Sequence, residues 1–158
     1  MTIREMNKQD FNFLLEVVDD WWGSQVRHML HPMLLYQFGD TAFVAEDKGQ
    51  VVGFLAGFIS QKDPLEAYIH LAAVDPKQRL TGTARTLYEH FISEVLSRGC
   101  DRLKAITLPE NTGSIAFHRK MGFSLVEQGT MQINGVPAIG GYSGPGNHRV
   151  VFEKIIGE

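Results

Sequence analysis

Residues 79–84, with the sequence R-L-T-G-T-A, combine residue types that suit the binding of a phosphate. They follow an apolar strand that ends at Val74 and precede an amphipathic helix. The start of a helix presents unpaired backbone NH groups and the positive end of the helix dipole, so a diphosphate can bind to main-chain groups alone. Gly82 and Ala84 keep bulk away from this approach. The segment therefore predicts an anion site at the helix start.

Basic side chains surround the segment, although the formal net charge of the 158-residue chain is -3. They are Lys77, Arg79 and Arg85. Local positive charge on an acidic chain favours a small anionic cofactor over a nucleic-acid partner. A dinucleotide site would need G-x-G-x-x-G and a P-loop would need G-K-[ST], and the sequence contains neither motif.

The predicted elements around the segment follow a definite order. A buried strand at residues 66–74 precedes it, and a helix with one continuous apolar face follows. A second strand at residues 102–108 and a short helix between Asn111 and Gly122 come next. Residues 66–123 thus contain V-x-P, R-x-x-G-x-A and N-x-x-S-x-x-F-x-x-x-x-G-F in order. With these motifs the chain resembles the GNAT superfamily of acetyl-CoA-dependent N-acetyltransferases.

This resemblance implies both a fold and a reaction. The fold is one α/β domain over residues 1–158, with a mixed, mostly antiparallel sheet splayed between its fourth and fifth strands and helices on both faces. The reaction is direct attack of a small molecule's primary amine on the thioester of acetyl-CoA, without a metal ion. A catalytically silent CoA-binding regulator and an acetyltransferase for protein N-termini or lysine side chains stay open as alternatives.

The resemblance also implies which residues contact acetyl-CoA. They come from the strand end, the anion-binding segment and the third motif: Ala72, Ala73, Val74, Arg79, Leu80, Thr81, Gly82, Thr83, Ala84, Arg85, Asn111, Phe117 and His118. Two of the motif residues also have structural interpretations. Asn111 can cap a helix, and Gly122 can end one in the left-handed conformation.

The strand at residues 66–74 carries the candidate general bases. Side chains alternate along a strand, so Tyr68, His70 and Ala72 share one face. His70 matches a position where some GNAT enzymes use a histidine as base, and histidine titrates near neutral pH. Glu66 is the alternative base, and a hydrogen-bonded core histidine is the alternative role for His70.

His118 marks the main departure from the family pattern. GNAT enzymes commonly carry F-Y where this chain has Phe117-His118, and that tyrosine protonates the leaving thiolate. His118 could replace it as general acid, or could serve packing or capping instead. If the strand bulges, the NH groups of residues 71–73 could stabilise the developing oxyanion.

The acceptor amine is expected between two segments, residues 19–22 and 129–147. The substrate-binding candidates are Asp20, Trp22, Tyr68 and Tyr142. Carboxylates and indole faces attract an ammonium group by charge and cation–π interaction. The alternatives are that the tryptophans belong to the core, that the aspartates only end a helix, and that the glycine-rich segment is a flexible loop.

Turn and cap residues predict several other elements. Asn7 should cap the first helix after an edge strand at residues 2–5, and Pro32 should end or kink a helical segment near Gln25. Residues 47–50 and Asn134-Gly135 should turn hairpins. Strands are predicted at residues 124–128 and 149–155.

Composition indicates the class of protein and its expected location in the cell. The chain is 44% hydrophobic and 21% charged, which is typical of a globular protein. Its longest apolar run, residues 51–59, is too short to span a membrane, and Cys100 is its only cysteine. We therefore expect a cytoplasmic protein with no membrane partner, and leave its oligomeric state, a homodimer included, open.

Overall fold

The computed structural model describes residues 1–157, which form two compact units, Met1–Cys100 and a second that begins at Asp101. The first unit contains β1 (Thr2–Glu5), α1 (Lys8–Trp22), α2 (Met33–Tyr36), β2 (Ala42–Asp47), β3 (Gln50–Ile59), β4 (Glu66–Val74) and α3 (Thr83–Ser97). The second contains β5 (Arg102–Thr107), α4 (Thr112–Lys120), β6 (Ser124–Leu125), β7 (Met131–Ile133), β8 (Val136–Ala138) and β9 (Val150–Ile155). Among residues 1–157, no helix combines the length and apolar character needed to cross a membrane.

The first unit is an antiparallel sheet in the order β1-β2-β3-β4. Its edge strand β1 has the predicted bounds, and the predicted hairpin joins β2 to β3. Lys48 and Gly49 turn this hairpin with φ values of 51° and 78°, as a two-residue turn with left-handed backbone requires. Helix α1 buries Phe11, Leu14 and Val18 in the unit's core.

A capping box starts helix α1, as predicted from Asn7. The Asn7 side chain accepts a hydrogen bond from the Asp10 NH at 2.9 Å, and the Asp10 carboxylate accepts from the Asn7 NH at 2.8 Å. Arg4 on β1 donates to the same carboxylate at 2.7 Å and to Glu46 on β2, also at 2.7 Å. These bonds tie the helix start to two strands.

Strand β4 contains a β-bulge in its pairing with β3. Leu71 lies opposite Ala56, but the next pair is Ile69 with Gly57, so His70 is an extra residue without a partner on β3. A Cβ on Gly57 would lie 2.5 Å from the Tyr68 carbonyl oxygen and 2.7 Å from the Phe91 ring. The bulge is therefore built against a glycine that no larger residue can replace without movement.

The second unit pairs β9 with both β5 and β6, in antiparallel ladders. The predicted Asn134-Gly135 turn joins β7 to β8, with φ values of 53° and 77°. Asn111 caps α4 by accepting from the Ser114 NH at 3.0 Å, and Gly122 follows the helix with a φ of 88°. Both structural interpretations of these two motif residues are therefore confirmed.

Two expectations from the sequence are wrong in detail. Pro32 does not end a helix: residues near Gln25 form only a 3₁₀ turn, Arg27–Met29, and Pro32 stands before the start of α2. A proline needs no NH partner in the first turn of a helix, and its fixed φ suits that position. The strand predicted at residues 124–128 is shorter: it covers Ser124–Leu125, and one further backbone hydrogen bond joins the Val126 NH to the Val151 carbonyl at 2.9 Å before the chain turns at Gly129, which has a φ of 73°.

Replacing Gly57 with alanine should lower the free energy of unfolding by about 1–3 kcal/mol, because the added methyl group overpacks the contact with Tyr68 and Phe91. The control is Gly39→Ala, where a Cβ meets no atom within 4 Å. Urea unfolding measures both variants. Equal unfolding free energies for Gly57→Ala and the unchanged protein would show that the strand tolerates a side chain here.

Candidate active site

The N-terminus of helix α3 is open to a ligand. Gly82 precedes the helix with a φ of 83°, and within residues 1–157 no side chain caps the helix start. A Cβ on Gly82 would meet no atom within 4 Å. The first intrahelical bond runs from the Thr86 NH to the Gly82 carbonyl at 3.0 Å. The three earlier NH groups therefore have no acceptor in the helix: those of Thr83, Ala84 and Arg85.

The segment before α3 is shaped around this opening. Leu80 has a φ of 67°, a backbone conformation that is costly for a residue other than glycine. Its side chain is fully exposed. The Thr81 hydroxyl donates to the Gln78 carbonyl and lies 2.8 Å from the Thr83 hydroxyl. The arrangement directs backbone NH groups outward at the positive end of a 15-residue helix, so its donors fit a diphosphate.

Arg79 connects the anion-binding segment to helix α1. Its guanidinium donates to the Trp21 carbonyl at 2.7 Å. Helix α1 has no basic residue in its last turn, where Asp19 and Asp20 lie, so Arg79 supplies the positive charge that the negative end of a helix favours. Arg85 forms an ion pair with Glu89 at 3.7 Å on the surface of α3.

The bulge residue His70 has a fixed ring orientation. Its Nε2 lies 2.7 Å from the Met29 carbonyl oxygen. Because a carbonyl only accepts, Nε2 carries the hydrogen, and Nδ1 of the neutral ring presents a lone pair. The ring is half-buried on the face of β4 that also carries Tyr68 and Ala72. The arrangement has the geometry of an oriented base, while the bond to Met29 also agrees with the structural alternative.

Glu66 lies at the opposite end of β4 from the anion-binding segment. It shares the half-buried face with His70, as the alternation predicts. Four residues of a strand span about 13 Å along the backbone, so the two side chains start far apart on this face. Of the two candidate bases, His70 is one residue away from the backbone NH groups expected to stabilise the oxyanion.

The four acidic and aromatic residues at the end of α1 play different roles. Trp21 belongs to the core, and the Asp19 carboxylate accepts from the NH groups of Val26 and Arg27 at 2.7 and 2.8 Å. Trp22 is half-buried, and its indole NH donates to the Ala72 carbonyl at 3.0 Å. Asp20 is exposed. The structural alternative thus describes Trp21 and Asp19, whereas Trp22 borders the strand assigned to the cofactor.

His118 lies inside an aromatic cluster of the second unit. It is 6% exposed and stacks on Phe152, with ring centroids 4.2 Å apart and planes 6° from parallel. The rings of Phe117 and Phe123 meet it edge-on at 5.4 and 5.1 Å. Burial lowers the pKa of His118, and its Nδ1 donates to the Ser114 carbonyl at 2.8 Å. A neutral ring whose one NH hydrogen is on Nδ1 and bound to Ser114 supports the packing alternative.

The glycine-rich segment at residues 140–147 has a defined backbone. Ile139 and Arg149 exchange two backbone hydrogen bonds, of 2.8 and 3.2 Å, across its base. The Gly141 NH donates to His148 Nδ1 at 3.0 Å, and the Ser143 NH donates to the Asn147 carbonyl at 3.0 Å. Tyr142 is 44% exposed on this segment. These bonds favour a shaped wall over a flexible loop.

The sequence reasoning missed the partners that orient the site. Met29, which accepts from His70, is 41 positions away in the chain, and Trp21, which accepts from Arg79, is 58 positions away. Both act through backbone carbonyls, which every residue has. No side-chain pattern could have identified them.

Solved structures resemble the chain over nearly its whole length. Ard1 from Thermoplasma volcanium matches with a TM-score of 0.79 and 22% identity, covering 99% of this chain and 98% of that one. A diaminobutyrate acetyltransferase from Paenibacillus lautus, solved with L-2,4-diaminobutyric acid and coenzyme A, matches with a TM-score of 0.70 and 19% identity over 99% and 96% of the two chains. These likenesses confirm the predicted α/β, GNAT-type fold class.

Sequence comparison supplies a curated relative and a family. The L-2,4-diaminobutyric acid acetyltransferase of Nocardia farcinica is 32% identical over 95 residues, which are 58% of this chain and 49% of the relative. The chain therefore spans about half the length of the curated relatives it matches. The profile of the acetyltransferase (GNAT) family matches residues 5–123. With the matched residues covering the open helix start, the bulged strand and the Asn111 motif, the chain belongs to the GNAT acetyltransferase family, as the resemblance predicted.

Proposed function

We propose that the chain is an acetyl-CoA-dependent N-acetyltransferase whose acceptor is the primary amine of a small molecule. The observation that carries the proposal is the uncapped start of α3 in the same unit as the bulged strand β4. The diaminobutyric acid acetyltransferases among its relatives support a small amine as acceptor. A single domain over residues 1–158 and a cytoplasmic location remain predictions, and the oligomeric state, a homodimer included, stays open.

The donor site is proposed at the α3 start and the end of β4. The open NH groups of residues 83–85 would hold the diphosphate, with positive charge from Arg79 and Arg85 beside them. The pantetheine arm would lie along Ala72, Ala73 and Val74. Acetyl-CoA supplies an activated carbonyl, and the backbone NH groups at the bulge would stabilise the negative charge that develops on its oxygen.

His70 is proposed as the general base. An amine is protonated at neutral pH and must lose a proton before it can attack. The lone pair on Nδ1 can accept that proton, while the Nε2 hydrogen bond to Met29 stabilises the positive charge on the ring. Glu66 would assist only from a distance, by attracting the cationic acceptor or through water.

The acceptor side is proposed around Asp20, Trp22 and Tyr68 of the first unit. Tyr142, in the second unit, stays a prediction from the sequence. The exposed Asp20 carboxylate attracts an ammonium group, and the Trp22 ring offers a cation–π face. The Trp22 bond to Ala72 places that ring beside the proposed pantetheine strand. An amine held there would be close to the thioester, as direct transfer requires.

Gly82→Glu tests the function and its donor site together. The new side chain puts bulk and negative charge in front of the NH groups, so CoA affinity should fall by at least about tenfold. Gly99→Glu is the matched control: Gly99 follows the other end of α3, also with positive φ and nothing within 4 Å of a Cβ. Calorimetry with CoA and thioester consumption with a panel of amines give the readouts. Unchanged affinity in folded Gly82→Glu contradicts the donor site, and no thioester consumption with any amine contradicts the function.

His70→Gln should lower kcat about 100-fold or more, because glutamine can still donate to the Met29 carbonyl but cannot accept a proton. The half-saturation for acetyl-CoA should stay close to its original value. Glu66→Gln is the comparison variant and should change kcat by no more than about threefold. A large loss in Glu66→Gln with little in His70→Gln would reverse the assignment.

His118→Phe should flatten the pH dependence of stability. Burial lowers the His118 pKa below its ordinary value of 6.5, so on acidification the unfolded chain takes up a proton that the folded protein does not. The free energy of unfolding of the natural protein should therefore fall more steeply between about pH 7 and about pH 5 than that of the variant. Urea titrations at several pH values measure this difference.

The same variant decides whether His118 has a role in catalysis. If packing is its role, the kcat of His118→Phe should remain within about threefold of the natural value, because phenylalanine can keep the stack on Phe152. A large fall in kcat with unchanged half-saturation for acetyl-CoA would instead support His118 as the general acid.

A further inference from the structure

The second unit contains a cavity of about 200 Å³ that none of the sequence motifs identified. Its wall consists of residues 108–110 after β5, Ile133 on β7 and residues 146–149 before β9. Within the part of the chain that the structure describes, all the lining residues belong to this unit. The volume is below the range of about 300–1,000 Å³ typical of sites for drug-sized ligands, so the cavity suits a ligand the size of one amino acid.

The wall segment that precedes β9 has a fixed backbone. Arg149 and Ile139 exchange two backbone hydrogen bonds, of 2.8 and 3.2 Å. A Cβ on Gly140 would lie 3.2 Å from Sδ of Met131 on β7, so the segment packs closely against that strand. Directional bonds to a ligand need such support, because a small displacement breaks them. Since the two bonds to Ile139 use the main chain, substitution of the Arg149 side chain should leave the segment folded.

Arg149 and His148 provide hydrogen-bond donors in the wall. The Arg149 side chain is half-buried, and one of its terminal nitrogens donates to the His148 carbonyl at 2.7 Å. Among residues 1–157 it forms no ion pair with a carboxylate. Its other NH groups form a planar fork that matches the two oxygens of a carboxylate. The Gly141 NH donates to His148 Nδ1 at 3.0 Å, so the neutral His148 ring carries its hydrogen on Nε2, a further donor.

Glu110 adds a charge of the opposite sign. Its side chain is exposed at the rim of the cavity. Leu108, Pro109 and Ile133 contribute apolar surface to the lining. A ligand that carries only a carboxylate would be attracted by Arg149 and repelled by Glu110, whereas a zwitterion would be attracted by both. The lining therefore favours a small zwitterion with an apolar part.

We propose that this cavity is a binding site for a free amino acid with a small aliphatic side chain. Arg149 and His148 hold its carboxylate, and Glu110 attracts its ammonium group. All the groups that recognise the ligand belong to the second unit, and the ligand undergoes no reaction there. Binding does not depend on acetyl transfer, so the site exists whether or not the proposed acetyltransferase function holds.

Calorimetric titration of the full chain, without acetyl-CoA, tests the site with L-valine and two analogues. Isovalerate lacks the ammonium group of valine, and isobutylamine lacks its carboxylate. L-valine should bind at least about tenfold more tightly than either analogue. Arg149→Gln should weaken the binding of L-valine and isovalerate by about 10- to 100-fold and leave that of isobutylamine unchanged. Arg149→Lys should retain part of the affinity, because it keeps the charge without the fork.

Glu110→Gln provides a second, independent arm of the test. It should weaken L-valine by about threefold or more, because an attraction at an exposed rim is modest. The affinity for isovalerate should rise, because the repulsion of its carboxylate is removed. Changes of opposite sign for two ligands of the same size cannot arise from a general loss of folded protein.

Arg119→Gln is the matched control, since Arg119 is an exposed arginine of the same unit that does not line the cavity. It should leave all three affinities unchanged. No binding of L-valine by the natural protein, or an unchanged affinity for it in folded Arg149→Gln, would overturn the proposal. If Arg149→Gln does not fold, Glu110→Gln decides: equal changes for L-valine and isovalerate overturn the site, and changes of opposite sign support it.

Discussion

The candidate site depends on the β-bulge in β4, where His70 is an extra residue in the pairing with β3. A strand that must stay paired over Glu66–Val74 and also present a backbone group for binding can do both only if one residue leaves the ladder. The extra residue is His70, and Gly57, opposite the neighbouring Ile69, leaves room for the Phe91 ring. The proposed base and the proposed oxyanion donors therefore occupy adjacent positions of one strand.

Backbone carbonyls of the α1–α2 region hold the functional side chains in place. Met29 accepts from His70 and Trp21 accepts from Arg79, while Trp22 donates to the Ala72 carbonyl. Each bond joins residues 21–29 either to strand β4 or to the anion-binding segment. A change in the path of the chain between Trp21 and Met29 would consequently affect the hydrogen-bond partners of both the proposed base and the anion-binding segment.

The second unit shows how a family position can change its chemistry. A tyrosine hydroxyl at position 118 could reach beyond its ring, but the histidine places its polar atoms within the ring, which stacks on Phe152 and donates to Ser114. Burial then favours the neutral form. A CoA thiolate is a good leaving group, so the proposed transfer would not require an acid at this position.

The sequence by itself determined the features that depend on a few neighbouring residues. The Asn7 capping box, the Lys48-Gly49 and Asn134-Gly135 turns and the glycine before α3 follow from caps and left-handed backbone, which are properties of short segments. Only the tertiary structure decided that β4 bulges at His70, that the His118 ring is buried, and that Arg149 faces a cavity. These depend on packing and hydrogen bonds between residues far apart in the chain, which local patterns do not encode.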